Sequence, residues 1–82
     1  MHNIIIDIRS NSKYNIGHIP NSINISEYDL MYKYNQYLNK VDTYYLYCDS
    51  GFRSSKLVNY LCSLGYKCVN IEGGYNNYLR EK

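Results

Sequence analysis

Tyr44-Tyr45-Leu46-Tyr47-Cys48-Asp49-Ser50-Gly51-Phe52-Arg53-Ser54 passes from an apolar run into a short polar loop and then into a helical pattern. Thr43 to Tyr47 reads as a central strand, and a helix is expected from Arg53 to Leu64. A lone thiol, Cys48, therefore falls where a buried strand ends and a helix begins. Peptide N–H groups at a helix start lack intrahelical partners and the macrodipole is positive there, so an anion is stabilised. Gly51 lets the backbone turn tightly beneath the sulfur, and Arg53 adds a fixed positive charge. Surroundings of this kind lower a cysteine pKa from about 8.5 to between about 3.5 and 7.5. Cys48 is accordingly the candidate nucleophile.

The rest of the chain alternates strands with helices. Ile4-Ile5-Ile6-Asp7-Ile8 is rich in β-branched residues, as a strand buried on both faces requires. Ser10 to Asn15 reads as a loop with a helical turn, Gly17-His18-Ile19-Pro20-Asn21 as turn chemistry, and Ser22-Ile23-Asn24-Ile25 as a short strand. Ser26 is a good N-cap for a helix from about Glu27 to Tyr37, whose Leu30, Met31, Tyr34 and Leu38 share one face. In the Arg53–Leu64 helix the buried face is expected to hold Leu57, Val58, Leu61, Cys62 and Leu64, with Gly65 closing it at C′. Cys68-Val69-Asn70-Ile71 forms a last strand, Gly73-Gly74 turns, and a short helix runs from about Asn76 to Arg80. The pattern predicts an α/β fold, a small three-layer arrangement with a central parallel sheet of about four strands flanked by helices and right-handed crossovers. Ligands of such sheets bind outside the carboxyl ends of the strands, the edge that Cys48 occupies.

Eighty-two residues are read as one domain, 1–82, too short for a second core. Twelve tyrosines and no tryptophan stand out; Tyr supplies packing area while its hydroxyl reaches water, so core and surface packing is preferred to a base-stacking platform. A net charge of +2, with Lys and Arg spread along the chain, argues against nucleic acid or membrane as partner. No stretch approaches the roughly 18 apolar residues of a membrane span, and Met1-His2-Asn3 has no leader character, so the expected location is cytoplasmic.

Three cysteines cannot all pair within one chain, and none is spaced as C-x-x-C, so neither a disulfide scaffold nor a structural zinc site is expected. No cofactor is expected either. Cys62 lies nine residues beyond Arg53, about 13 Å along a helix, too far to bridge to Cys48. Cys68 begins a strand whereas Cys48 follows one, which puts them at opposite edges of a parallel sheet. Both are read as packing residues.

With these pieces in order, the chain resembles the rhodanese-like domain in its single-domain form. Ile6-Asp7-Ile8-Arg9 resembles the family's D-x-R strand, and Gly17 to Ile25 its G-H-I-P-G-A-x-N-I segment. Cys48-Asp49-Ser50-Gly51-Phe52-Arg53-Ser54 matches the active-site loop C-x-x-G-x-R-S. Gly65-Tyr66 with Val69, and Glu72-Gly73-Gly74 with Tyr78, resemble the closing elements. The resemblance implies a sulfurtransferase: the loop cysteine takes a sulfane sulfur from thiosulfate or a persulfide, becomes a persulfide, and passes the sulfur to a nucleophilic acceptor. The N–H groups of Asp49, Ser50, Gly51, Phe52, Arg53 and Ser54 would stabilise the anionic sulfur, and Arg53 would hold an anionic donor. Asp7, Arg9 and His18 are expected to support the loop rather than react.

Four residues separate Cys48 from Arg53. Cysteine-dependent phosphatases use one more, so the count favours sulfur over phosphate. The alternative function is a non-catalytic module of the same fold that binds a partner or senses redox state. The family's loops often carry basic side chains that suit thiosulfate, whereas here Asp49 nearly cancels Arg53. Thiosulfate is thus expected to be a poor donor, and a protein or low-molecular-weight persulfide a better one. The chain starts at the D-x-R strand, without the strand and helix that usually precede it, which would leave one sheet edge open; a monomer or weak homodimer is expected.

Overall fold

A computed structural model describes residues 1–81. Its elements are β1 (Asn3–Asp7), α1 (Asn11–Ile16), β2 (Ile23–Asn24), α2 (Glu27–Tyr32), α3 (Tyr34–Tyr37), β3 (Thr43–Tyr47), α4 (Phe52–Ser63), β4 (Lys67–Asn70) and α5 (Gly74–Glu81). The strands form one parallel sheet in the order β2-β1-β3-β4, flanked by helices. The chain leaves β1 toward β2 on one side and returns to place β3 on the other. Strand order therefore reverses between β1 and β3, and a crevice opens beyond their carboxyl ends at such a point. Asp7 of β1 is in register with Tyr47 of β3, so the residues that follow, Arg9 and Cys48, emerge side by side.

The core cluster is apolar. Ile6, Leu30, Leu46 and Leu61 are fully buried, with Ile8, Tyr44 and Leu57 almost so. Burying one such side chain contributes about 1.5–3 kcal/mol. Tyr44 and Tyr47 solve the problem of a buried phenol by hydrogen bonding: the Tyr44 hydroxyl accepts the Asn39 N–H at 2.8 Å, and that of Tyr47 donates to Asp7 Oδ2 at 2.9 Å. Among the described residues no helix is long and apolar enough to cross a membrane.

Two details differ from the sequence reading. The helix expected from Glu27 to Tyr37 is broken at Lys33, whose backbone (φ −131°, ψ 29°) leaves the helical region, giving α2 and α3. Tyr34 meets Tyr66 edge to face at 5.6 Å while Leu30 stays fully buried, from two short helices rather than the one continuous face expected. Cys62 is exposed rather than buried. The buried stripe of α4 runs Ser54, Leu57, Val58, Leu61, and Val58 already stands at its margin, so the next position on that side, Cys62, falls outside. Cys68, by contrast, is buried, and burial pushes its thiol up to about 12. Gly65 ends α4 in the left-handed region (φ +96°), with its N–H bonded to the Cys62 carbonyl and that of Tyr66 to the Leu61 carbonyl.

Candidate active site

Cys48 follows β3 directly and α4 begins at Phe52, so the thiol belongs to a tight connection. Gly51 adopts φ +90°, a left-handed conformation that side chains resist. That turn sends the Gly51 N–H to Sγ at 3.2 Å, and the first turn of α4 brings in the Ser54 N–H at 3.4 Å. The amide of Arg53 adds to them. Not every loop amide turns inward, since that of Phe52 goes to Ser50 Oγ at 3.4 Å. Cys48 is only 3% exposed. Burial pushes its thiol up, but the Ser54 hydroxyl and the three amides outweigh it and hold the pKa below that of a free cysteine.

The Ser54 hydroxyl has one proton and two neighbours. It lies 3.4 Å from Sγ and donates to Asn70 Oδ1 at 2.5 Å, while Asn70 Nδ2 donates to the Gly51 carbonyl at 3.2 Å. With the thiol neutral, S–H donates to Ser54; once it ionises, the hydroxyl proton is free to turn to sulfur. Alkylation of Cys48 by iodoacetamide, followed against pH, should therefore show a midpoint below that of free cysteine. Ser54→Ala should move that midpoint upward. An unmoved midpoint would mean that the amides alone set the thiol.

The back of the loop is pinned by α5. Tyr75 N–H donates to the Cys48 carbonyl and Asn76 N–H to the Asp49 carbonyl, both at 2.9 Å. Gly74 (φ +58°) permits this approach, because a Cβ there would collide with the Cys48 carbonyl oxygen. Below, Arg9 is 5% exposed and gripped by the fully buried Asp7 through Nε and Nη2, with Nη2 also donating to the Gly17 carbonyl at 2.7 Å. Its guanidinium stacks over Tyr75, 4.1 Å from the ring centroid. Asp7 and Arg9 thus tie β1, the turn at Gly17 and α5 together under the loop. His18 makes its contacts with Tyr14. Its ring stacks on Tyr14 at 3.8 Å and its Nδ1 donates to the Tyr14 carbonyl at 2.8 Å.

The charged side chains of the loop are paired differently from the sequence reading. Asp49 does not cancel Arg53. It meets Lys13 Nζ at 2.6 Å and Arg9 Nη1 at 3.5 Å, contacts that hold its carboxyl below the usual range, Lys13 foremost. Arg53 turns outward and gives both Nε and Nη2 to Glu27 of α2. At the sulfur it contributes its amide and, while bonded to Glu27, the charge of its guanidinium. Ser50 and Phe52 are exposed, and the Phe52 ring packs under Lys56 Nζ at 4.6 Å. A cleft of about 380 Å³ opens beside the loop, lined in part by Arg9, Lys13, Glu27, Asp49 and Arg53. Glu27, Lys13 and Asn70 escaped the sequence reading. An acidic residue just after an N-cap looks like ordinary helix-start chemistry, Lys13 like a solvated charge, and Asn70 like one polar residue of a half-buried strand.

A family model described as the rhodanese-like domain matches residues 1–81. The chain belongs to that family. It is 35% identical over 78 residues to the adenylyltransferase and sulfurtransferase uba4 of Ogataea parapolymorpha, covering 94% of this chain but only 20% of that protein. It is 29% identical over 75 residues to the thiosulfate sulfurtransferase GlpE of Tolumonas auensis, covering 90% of this chain and 70% of that one. The crystal structure of a rhodanese-related protein from Thermoplasma volcanium superposes with a TM-score of 0.88 at 33% identity, over 96% of this chain and 78% of the other. Family and relatives together support sulfur transfer as the chemistry of this fold.

Proposed function

We propose that this domain moves a sulfane sulfur through a persulfide on Cys48. The Cys48 thiolate attacks the outer sulfur of a donor; a new S–S bond forms to Sγ, the donor's S–S or S–sulfonate bond breaks, and its electron pair leaves with the thiolate or sulfite. A nucleophilic acceptor then attacks the outer sulfur of the persulfide and restores the Cys48 thiolate. The amides of Gly51, Arg53 and Ser54 hold the negative charge before attack and after release, at no reorganisation cost. The observation that carries this reading is the pair of N–H groups aimed at Sγ from a turn that only glycine accepts without strain.

Partners on this reading are small or protein-borne sulfur donors and acceptors. The test is intact mass after incubation with thiosulfate and, separately, with cysteine persulfide. A gain of one sulfur atom, removed by cyanide, is expected. A thiol that takes up no sulfur, yet is oxidised or alkylated, would instead favour a binding or redox-sensing module, a reading that the 3% exposure of Cys48 keeps in view.

Thiosulfate should be the weaker of these donors. Asp49 lines the cleft and ties up Lys13 and Arg9, cations that could otherwise meet a dianion there. Asp49→Arg is expected to lower KM for thiosulfate by about tenfold, since it frees Lys13 and adds a further cation to the cleft. An unchanged KM in steady-state assays would refute the electrostatic account.

A further inference from the structure

Each cation of the cleft already has an anion. Arg9 is held by Asp7, Lys13 by Asp49, and Arg53 by Glu27. The third pair is unlike the others in its placement. It bridges separate helices, α4 and α2, across the cleft that both residues line. Like Arg9 with Asp7, Arg53 gives Glu27 the lateral edge of its guanidinium, Nε with Nη2, the edge an incoming sulfonate or carboxylate would need; unlike the Arg9 pair, this one is not buried. Both partners keep access to water, with Arg53 60% and Glu27 29% exposed, so the pair can exchange partners without baring a buried charge.

A dianion that displaced Glu27 from Arg53 would leave a free carboxylate facing it, with Asp49 on the same cleft. A ligand with an ammonium and a carboxylate on one carbon meets no such conflict, because it can insert between the two side chains and pair both. A cleft of about 380 Å³ is of the size that takes a small molecule. Resting on the sulfur-transfer reading, we infer that Glu27 is a specificity-determining residue: with Arg53 it forms a split subsite for the ammonium and carboxylate of an amino-acid persulfide, and it turns inorganic dianions away. The sulfur step itself is unchanged. The Cys48 thiolate takes the outer sulfur of the amino-acid persulfide, and the free amino-acid thiolate departs with the electron pair of the broken S–S bond.

The experiment measures sulfur loading of Cys48 by intact mass in the full chain, wild type against Glu27→Gln and Glu27→Asp. The donors are cysteine persulfide, the persulfide of 3-mercaptopropionate, which has the carboxylate but no ammonium, and thiosulfate. Each rate is divided by the rate of Cys48 alkylation by neutral iodoacetamide, which removes any change in thiol reactivity, and circular dichroism confirms folding. Wild type should prefer cysteine persulfide to its des-amino analogue by about tenfold. Glu27→Gln should erase that preference and raise loading from thiosulfate by about tenfold, while Glu27→Asp should retain part of the preference. Unchanged donor ratios in Glu27→Gln, with loading still present, would overturn the role of Glu27 and leave sulfur transfer standing. Failure of every donor on the wild type would overturn sulfur transfer and this inference with it.

Discussion

Cys48→Ser should reduce sulfur loading to background, a loss of about 10⁴-fold or more, while the protein stays folded. A serine hydroxyl is almost isosteric and can accept the same Gly51 and Ser54 N–H groups, so the loop keeps its shape. It is not ionised near neutrality and does not attack a sulfane sulfur, so the chemistry stops. The exposed Cys62 provides an internal comparison, because it remains available in the variant and its thiol faces the Cys68 carbonyl, an acceptor, rather than a turn of N–H groups. Intact mass of the variant after incubation with donor, with peptide mapping of any added sulfur, decides the matter. Equal loading of Cys48→Ser through Cys62 would show that accessibility, not the loop, selects the reacting thiol.

Asp7→Ala should cost about 3–5 kcal/mol, the second large effect. Asp7 is fully buried and receives the Arg9 amide at 2.8 Å, the Arg9 guanidinium at 2.7–3.1 Å and the Tyr47 hydroxyl at 2.9 Å. Its removal leaves a buried guanidinium and a buried phenol without their principal acceptor. At this chain length total stability is about 4–12 kcal/mol, so the loss takes a quarter or more of it. Urea unfolding should show a midpoint lower by about 3–5 M, taking about 1 kcal/mol per molar for a small domain. The double change Asp7→Ala with Arg9→Leu should recover part of the loss, since the stranded charge goes with it. A single variant with a wild-type midpoint would mean that the Asp7–Arg9 pair is dispensable.

Local signals were strong where one element's chemistry suffices. The β-branched run Ile4–Ile8 and the apolar run ending at Tyr47 read as strands because neither has a polar face to keep wet. The end of α4 at Gly65 was visible because glycine is the residue that takes a left-handed C′ without strain. The break at Lys33 was not visible, since nothing in Tyr32-Lys33-Tyr34 forbids a helix; packing against α4 and Tyr66 decides it. Cys62 misled for a related reason. A helical period marks a stripe, but the width of that stripe depends on what the sheet and neighbouring helices cover.

The order of residues alone determined a parallel α/β sheet with a single thiol at the carboxyl end of its central strand, and the glycine that turns backbone N–H groups toward it. Those features act over a few bonds, through φ preferences and hydrophobic period, and so are written in adjacent residues. Charge pairing was settled only by the folded chain. Asp49 sits one residue from Cys48 yet bonds Lys13 and Arg9, and Arg53 reaches Glu27 twenty-six positions away. A long charged side chain takes the nearest opposite charge in space, and which one is nearest depends on how β1, α1 and α2 are brought against the loop.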